Sequence, residues 1–166
     1  MSSGPARALM GETFVGRHIG SPEDAAKFGR GWVNVLEDVP LFQGLSKRDI
    51  RRVAKMAAKV TFPERSVIVS PRRGGDAFYV IIDGVAEVTT KTGERIRLQS
   101  GAFFGEMALL STGERTATVA AVTEVLAMVI SQARFRELLE AEPKIAFAIM
   151  RELAARVRRL EQSAEL

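Results

Sequence analysis

Between residues 60 and 130 the sequence breaks into seven short apolar and β-branched segments, and this series limits the possible folds more than any other part of the chain. Most of the segments are separated by Gly, Pro or charged residues, as in short strands joined by tight turns. They are Val60–Phe62, Ser66–Val69, Ala77–Ile82, Val85–Thr90, Glu94–Leu98, Thr116–Ala121 and Val125–Ile130. Seven or eight short strands at near-regular spacing predict an antiparallel β-barrel or jelly roll.

Helical patterns lie on both sides of these strands, so the predicted class is α+β. Capping residues and prolines mark the helix starts, because both suit a first turn whose N–H groups lack partners. The expected helices begin at Ser21–Pro22, cover Trp32–Asp38, run from Ser46 to about Lys59, and then cover Ala133–Ala141 and Lys144–Glu161, with Pro143 as the restart. The predicted organisation is one domain with a loose leader at 1–20, N-terminal helices at 21–59, the barrel at 60–130 and C-terminal helices at 131–166.

The last predicted helix carries an apolar stripe that permits two interpretations. Its members, Ile145, Ile149, Leu153, Val157 and Leu160, follow one another at nearly heptad spacing. The stripe either packs against the chain's own barrel or forms a helix-to-helix seam in a homodimer. The sequence leaves both interpretations open.

Composition restricts the class of protein. With 166 residues, the chain suits one domain that buries its own core. Its longest apolar run, Val125–Ile130, is far shorter than the ~18 residues of a membrane span, and the N-terminus lacks the apolar core of a secretory signal. We therefore expect a cytoplasmic protein. The chain has no cysteine, and its net charge of +4 suits either an anionic ligand or nucleic acid.

The stretch 101–119 carries the pattern of an anion site. Gly105 and Glu106 precede Met107–Leu110, which can make one short helical turn. Backbone N–H groups at the start of such a turn favour an anion, and the helix dipole does the same. Arg115 follows, and its planar guanidinium can pair with two phosphate oxygens at once. Glu106 would repel a phosphate unless it faces another group, and a sugar hydroxyl is a suitable donor for it.

These residues resemble the phosphate-binding cassette of cyclic nucleotide-binding domains. The matching strings are Phe104-Gly-Glu-Met-Ala-Leu-Leu110 and Arg115-Thr-Ala-Thr-Val119, which place the cassette at 104–119. The segment Asp76–Gly84 is similar to the strand and glycine turn of the same family. The resemblance covers roughly residues 40–160 and implies a regulatory domain that binds a ligand and performs no catalysis.

The resemblance implies a role for each matching position in the cassette. Arg115 is expected to contact the exocyclic phosphate oxygens, and the backbone N–H groups of Ala108 and Thr116 are expected to complete the phosphate site. Glu106 and the backbone N–H of Gly105 are expected to hold the ribose 2′-hydroxyl. That hydroxyl distinguishes a 3′,5′-cyclic ribonucleotide from its deoxy counterpart.

The base is expected to lie between apolar barrel residues and the last helix. Val88, Ile96 and Leu98 stand where the family has apolar contacts to the base, although simple barrel core explains these three equally well. Arg156 stands where the related pacemaker channels carry an arginine that meets the purine, and a solvated helix residue is the other interpretation. The expected ligand-binding residues are Gly105, Glu106, Met107, Ala108, Arg115, Thr116, Val88, Ile96, Leu98 and Arg156, with no catalytic residue and no metal ligand.

Thr116 bears on which nucleotide binds. In the family an alanine here accompanies cAMP-selective sites, whereas a threonine hydroxyl can bond the amino group of a syn guanine, as in cyclic nucleotide-gated channels. Threonine does not exclude cAMP, so we expect cAMP as the ligand with cGMP binding retained. The expected mechanism is allosteric: the ligand favours the state in which the C-terminal helix closes, and a downstream protein partner, which the sequence does not identify, reads that state.

Three other functions are compatible with parts of the sequence. An enzyme of the cupin type needs two or three histidines around a metal, and the only histidine of the chain is His18. A nucleic-acid-binding protein could use Arg151, Arg158 and Arg159, but the basic residues are scattered and lack interleaved aromatic residues, which makes nucleic acid a weaker prediction. A cassette that has lost its ligand would act only as a dimerising scaffold.

Overall fold

A computed structural model describes residues 17–18, 32–71, 77–106 and 117–164. The helices in this part of the chain are α1 (Trp32–Glu37), α2 (Lys47–Met56), α3 (Gln132–Ala141) and α4 (Pro143–Ala164), and a 3₁₀ turn at Pro40–Phe42 joins α1 to α2. The helix predicted to begin at Ser21–Pro22 lies outside the described residues. Of the helices described, none combines the length and the apolar composition needed to cross a membrane.

The strands in the same residues form two antiparallel sheets. They are β1 (Arg17–His18), β2 (Ala58–Phe62), β3 (Val67–Val69), β4 (Ala77–Asp83), β5 (Ala86–Thr89), β6 (Arg95–Leu98), β7 (Phe103–Phe104), β8 (Thr118–Ala121) and β9 (Val125–Ser131). One sheet has the order β1-β2-β9-β4-β7 and the other the order β3-β8-β5-β6. The predicted α+β jelly roll is therefore confirmed, and its two sheets do not close into a single barrel.

Strands β4 and β9 form the centre of the larger sheet because both are apolar along most of their length. They pair in antiparallel register from Ala77 opposite Ser131 to Asp83 opposite Leu126. Almost every residue of both strands is buried. Since successive side chains of a strand point to opposite faces, this central pair contributes to an apolar core on each face of the sheet.

We call these two cores the inter-sheet cluster and the helix-side cluster. The inter-sheet cluster includes Val60, Phe62, Tyr79, Ile81, Ala86, Phe104, Val119, Ala127 and Val129. The helix-side cluster lies between the larger sheet and the helices, and it includes Leu36, Phe42, Ile50, Phe78, Val80, Phe103, Met128, Phe135, Leu138, Ile145 and Ile149. The alternation along β4 sends one set of its side chains into each cluster.

Helix α2 begins as predicted and ends earlier than predicted. The Ser46 hydroxyl oxygen accepts a hydrogen bond from the backbone N–H three residues later at 3.1 Å, which caps the first turn. The predicted end near Lys59 is wrong, because α2 ends at Met56 and Ala58 already pairs with Val129 of β9. Alanine and lysine favour helix intrinsically, but pairing with a buried central strand outweighs that preference.

Strand β1 lies within the segment that was predicted to be a loose leader, residues 1–20. Its two residues pair with β2 in antiparallel register, Arg17 with Thr61 and His18 with Val60. A strand of two residues is too short to produce the alternation that identifies longer strands in a sequence.

The apolar stripe of α4 divides between the core and the solvent. Ile145 and Ile149 are buried in the helix-side cluster, and Leu153 packs against it from a half-buried position. Val157 is 52% exposed and Leu160 is 67% exposed. The packing interpretation therefore holds for the N-terminal half of the stripe, whereas the C-terminal half faces solvent.

Candidate functional site

The predicted cassette begins at β7, whose two side chains point into opposite cores. Phe103 belongs to the helix-side cluster, and its ring centroid lies 5.6 Å from that of Phe78. Phe104 belongs to the inter-sheet cluster and stacks on Tyr79 with 4.7 Å between centroids and 3° between ring planes. Aromatic contacts on both faces of the sheet therefore fix the position of the residues that follow.

Gly105 makes the turn that directs the chain away from β7. Its φ angle is +94°, in the region that favours glycine. A Cβ atom at this position would collide with the carbonyl oxygen of Ala77 and would lie 3.2 Å from Cδ2 of Tyr79. The backbone conformation and the close approach to β4 therefore both require glycine before Glu106.

Glu106 is a buried carboxylate held by an arginine of α4. Its relative exposure is 1%. Nη1 of Arg156 donates a hydrogen bond to Oε1 of Glu106 at 2.7 Å, across 50 residues of sequence. Hydrogen bonds between ionised partners are shorter and stronger than neutral ones, and a buried charge without a partner is strongly destabilising. Arg156 therefore supplies the contact that makes burial of Glu106 tolerable.

The same arginine also contacts β7. Nη2 of Arg156 donates to the carbonyl oxygen of Phe103 at 3.4 Å. The guanidinium carbon lies 5.6 Å from the centroid of the Phe103 ring, within the range of a cation–π contact. Nε lies 3.6 Å from Oε1 of Glu152 on the same helix. One side chain thus connects α4 to both β7 and the carboxylate at 106.

The second carboxylate oxygen of Glu106 has no hydrogen-bond donor among the described residues. Oε2 is buried and unpaired there. Buried polar atoms nearly always have a partner, and an ionised carboxylate can only accept hydrogen bonds. The arrangement is therefore suited to binding a group that presents a hydroxyl or N–H to this oxygen.

Residues of β5 and β6 form an apolar wall on the inner face of the smaller sheet. Val88 lies opposite Ile96, and Ala86 lies opposite Leu98. Directly opposed residues project to the same face, and Ala86 is buried in the inter-sheet cluster, which identifies that face as the inner one. Val88 and Leu98 pack partly against the cluster, while Ile96 is 45% exposed. Ile96 therefore lies at an open edge of the core.

Polar contacts fasten the start of α4 to the N-terminal part of the domain. Nζ of Lys144 donates to the carbonyl oxygen of Gly44 at 3.0 Å. Glu142, between α3 and α4, is buried, and Nη1 of Arg52 lies 3.7 Å from its Oε1. Burial raises the pKa of the Glu142 carboxyl and the nearby Asp49 carboxylate raises it further, while the charges of Arg52 and Lys144 lower it.

The structure brings some of the predicted ligand-binding residues together. Gly105, Glu106 and Arg156 meet at one point, and the three predicted base contacts share the inner face of the smaller sheet. Met107, Ala108, Arg115 and Thr116 lie outside the described residues, so their roles stay predictions. The contact of Arg156 with a purine also stays a prediction. In the part of the chain that the structure describes, no three His, Cys, Asp or Glu side chains form a group that could hold a metal ion.

The direct pairing of Arg156 with Glu106 was missed from the sequence. The resemblance implies a contact with the ligand for each of these two residues and none between them. The signal was a carboxylate between apolar residues at the start of the cassette, because a charge that folding buries needs a partner of opposite sign. Which of the many arginines supplies that partner depends on the packing of α4.

A family model for the cyclic nucleotide-binding domain matches residues 59–142. The matched segment begins at the second residue of β2 and contains β3 to β9 and α3. It includes Gly105 and Glu106, and it ends immediately before α4.

An ion channel, a protein kinase regulatory subunit and a catabolite activator protein are similar to this chain. A cyclic nucleotide-gated potassium channel from Mesorhizobium japonicum is 35% identical over 119 residues, which are 72% of this chain and 33% of the channel. A cAMP-dependent protein kinase regulatory subunit from Aspergillus fumigatus is 35% identical over 106 residues, which are 63% of this chain and 26% of the subunit. The solved catabolite activator protein of Thermus thermophilus has a TM-score of 0.68 and 26% identity, covering 76% of this chain and 62% of that protein. The chain thus spans a third or less of the length of the two curated relatives.

Proposed function

The chain belongs to the cyclic nucleotide-binding domain family, and we propose that it is a regulatory domain that binds cAMP, accepts cGMP, and responds through its C-terminal helix. The observation that carries this proposal is the buried carboxylate of Glu106, which has one oxygen paired with Arg156 and the other without a donor among the described residues. A ribose 2′-hydroxyl is a donor of the right kind for that second oxygen.

The sugar contact gives the proposed site its selectivity for ribonucleotides. A 2′-deoxy ligand would leave Oε2 of Glu106 buried without a partner, which costs about 1–3 kcal/mol. The turn at Gly105 supports this role, since it places the carboxylate in the core next to the backbone that the family uses for the same hydroxyl. Ribose recognition therefore depends on a turn that only glycine can make.

The phosphate contact rests on the family resemblance. Arg115 would pair with the exocyclic oxygens through its planar guanidinium. The backbone N–H groups of Ala108 and Thr116 would complete the site, as N–H groups at the start of a helical turn favour an anion. Together with Glu106, these groups would bind a cyclic phosphodiester and its sugar at adjacent points. The proposal gives none of them a catalytic role.

The base would lie against the apolar wall of β5 and β6. Ile96 is 45% exposed on the inner face, and Val88 and Leu98 border it from half-buried positions. An exposed isoleucine facing inward at an open edge gains from being covered by a flat purine, because contact with the base removes its apolar surface from water. Thr116 would bond the amino group of a syn guanine, which is why cGMP is retained beside cAMP.

The response of α4 would follow from the shared carboxylate. Arg156 and the ribose hydroxyl would bind opposite oxygens of Glu106, so the conformation with α4 docked presents the complete sugar site. A ligand that binds better to this conformation shifts the population toward it. If the nucleotide raises the equilibrium constant for docking of α4 against β7 by some factor, docking of α4 raises the affinity for the nucleotide by that same factor.

The test is an equilibrium titration of the wild-type protein with cAMP, cGMP and 2′-deoxy-cAMP. We expect both ribonucleotides to bind, with the deoxy compound weaker by several-fold to about a hundredfold, equivalent to about 1–3 kcal/mol. Glu106→Gln should reduce the difference between cAMP and its deoxy analogue. Arg115→Leu should weaken all three ligands together, since it removes the phosphate contact.

The outcomes that contradict the proposal are equally definite. The regulatory function is ruled out if neither ribonucleotide binds at millimolar concentration, or if Arg115→Leu binds as tightly as wild type. Equal affinity for cAMP and 2′-deoxy-cAMP would remove Glu106 from the sugar contact and leave the rest of the proposal standing. A control substitution at Arg136, an exposed residue of α3, should leave all three affinities unchanged.

A further inference from the structure

The surface of α4 that faces away from the core carries an apolar stripe of its own. Phe147 is 60% exposed, Met150 52% and Val157 52%, and Ala154 between them is also exposed. At 100° per residue these four side chains fall within about 80° of the helix circumference. We call them the outer stripe. It differs from the stripe predicted from the sequence, which began with the buried residues Ile145 and Ile149.

The outer stripe has a positively charged border. Arg158 and Arg151 lie next to Phe147 on one edge of the stripe, about 20° and 40° from it at 100° per residue. Both are exposed, and neither has an ion pair or hydrogen bond among the described residues. Arg156 differs from these two arginines, because its guanidinium is paired with Glu106 inside the domain. The other border is apolar and leads to Leu160, which is 67% exposed.

The charge of the helix decides which occupant fits this surface. Helix α4 has five basic residues and two acidic ones, namely Lys144, Arg151, Arg156, Arg158 and Arg159 against Glu152 and Glu161. Arg156 and Arg159 are paired with Glu106 and Glu152, so Arg151 and Arg158 are the charges that border the outer stripe. A second copy of the chain would bring the same two arginines to this face, and like charges brought together oppose association. A helix with a matching apolar stripe and acidic borders would pair with the free arginines and bury the exposed apolar side chains.

We propose that the outer stripe of α4 is a docking surface for an acidic amphipathic helix of a protein partner. The binding mode is a helix laid along a helix, with apolar anchors at three- and four-residue intervals and carboxylates facing Arg151 and Arg158. The stripe from Phe147 to Val157 is only about 15 Å long, at 1.5 Å per residue. So short a contact suits a reversible partner better than a permanent dimer, whose interfaces are larger. This inference does not depend on nucleotide binding.

The test uses two helical peptides of the same length, each with one leucine stripe. In the first peptide the stripe is bordered by glutamates, and in the second by lysines. Fluorescence anisotropy on the full chain should show binding of the glutamate peptide, weakened by added salt. The double variant Arg151→Glu, Arg158→Glu should bind the glutamate peptide about tenfold more weakly, as two reversed exposed charges imply. The same variant should gain affinity for the lysine peptide.

Two controls separate docking from general charge and from misfolding. Arg136→Glu reverses an exposed arginine on α3 and should leave peptide binding unchanged. Phe147→Ser should weaken the glutamate peptide although it alters no charge. The docking proposal is overturned if wild type binds both peptides equally or neither of them. It is also overturned if sedimentation detects a wild-type dimer that Phe147→Ser dissociates, because a second copy would then be the occupant.

Discussion

The two halves of α4 are held against the domain by different forces. In the first half, Ile145 is 0% exposed and Ile149 is 2% exposed, both inside the helix-side cluster. In the second half, Val157 and Leu160 face solvent, and Arg156 contacts the domain through its ion pair with Glu106 and through the carbonyl oxygen and ring of Phe103. The first half is secured by apolar burial, which needs no ligand.

This difference indicates which part of the helix can respond to a signal. The buried residues of the first half contact the helix-side cluster, and none of the predicted ligand-binding residues that the structure describes belongs to that cluster, so we expect this half to stay docked with and without ligand. The second half depends on a carboxylate that we assign to the sugar site, so its docking and ligand binding involve the same residue. On the proposed function, the helix therefore has a base that stays docked and a tip whose docking depends on the ligand.

The largest effect should come from removing apolar burial at the base. Ile149→Ala should lower the free energy of unfolding by about 2–5 kcal/mol, because it removes buried methylene groups and leaves a cavity. Urea denaturation followed by circular dichroism measures this change. The neighbouring exposed residue gives the matched control, and Met150→Ala should stay within about 0.5 kcal/mol of wild type. Equal effects of the two substitutions would mean that the base is not secured by burial.

The next largest effect should come from the ion pair. Arg156→Ala should destabilise the protein by about 1–3 kcal/mol, since it leaves the Glu106 carboxylate buried without its donor. Hydrogen exchange should show lost protection in α4 beyond residue 153, with protection of the first two turns retained. Arg158→Ala is the matched control because Arg158 is exposed on the same helix and should change neither quantity.

A charge-conserving variant sharpens the same comparison. Arg156→Lys keeps the positive charge but loses the planar fork that reaches both Glu106 and the carbonyl oxygen of Phe103. In Arg156→Lys we expect the hydrogen-exchange protection of α4 beyond residue 153 to lie between the protection in wild type and that in Arg156→Ala. If Arg156→Ala loosened the whole helix uniformly, the division into base and tip would be wrong.

Leu153 marks the boundary between the halves and should give a smaller effect. Its side chain is half-buried against the helix-side cluster. Leu153→Ala should therefore cost about 1 kcal/mol, less than a fully buried leucine, because part of the side chain is already in water. Urea denaturation beside the Ile149→Ala variant gives the comparison. A cost as large as that at position 149 would move the boundary toward the tip.

The smallest effect concerns Glu142, at the junction of α3 and α4. Its pKa is raised in the folded protein, first by burial and then by Asp49, so the folded state holds its proton more tightly than the unfolded chain. This stabilisation is complete below the ordinary pKa of 4.5 and is lost as the pH rises through the folded value. Glu142→Gln removes the titration. The stability of the variant relative to wild type should therefore increase with pH across that window in chemical denaturation. A constant difference across this pH range would contradict the assignment.

The sequence was sufficient for most of the fold because the strands are long enough to show a pattern. Ala77–Asp83 and Val125–Ser131 are apolar runs between turn residues, and both were predicted nearly to their ends. The failures are short or locally ambiguous elements. Strand β7 has two residues and shows no period, and Ala58–Lys59 favours helix until β9 is available to pair with it.

The sequence predicted the part of the candidate site that depends on local patterns and missed the part that depends on tertiary contacts. A fixed string of residues identifies Gly105 and Glu106, and strand alternation orients Leu98 and Ile96 inward. The partner of Glu106 could not be identified in this way, since Arg156 is 50 residues away and several other arginines of α4 were available. Only the packing of the helix brings one of them to the carboxylate. Local patterns therefore give the members of the site, and tertiary structure decides how they are joined.

The opposed rings of β7 have a practical consequence for measurement. Because Phe103 and Phe104 are each fastened in a different core, a dye attached near β7 should remain stationary while the tip of α4 moves. The sequence contains no cysteine, so thiols introduced at the exposed residues Gln99 and Gln162 would be labelled without competition. Energy transfer between two such dyes would report the proposed displacement of the helix as an optical signal. The domain is thus a natural starting point for a genetically simple biosensor.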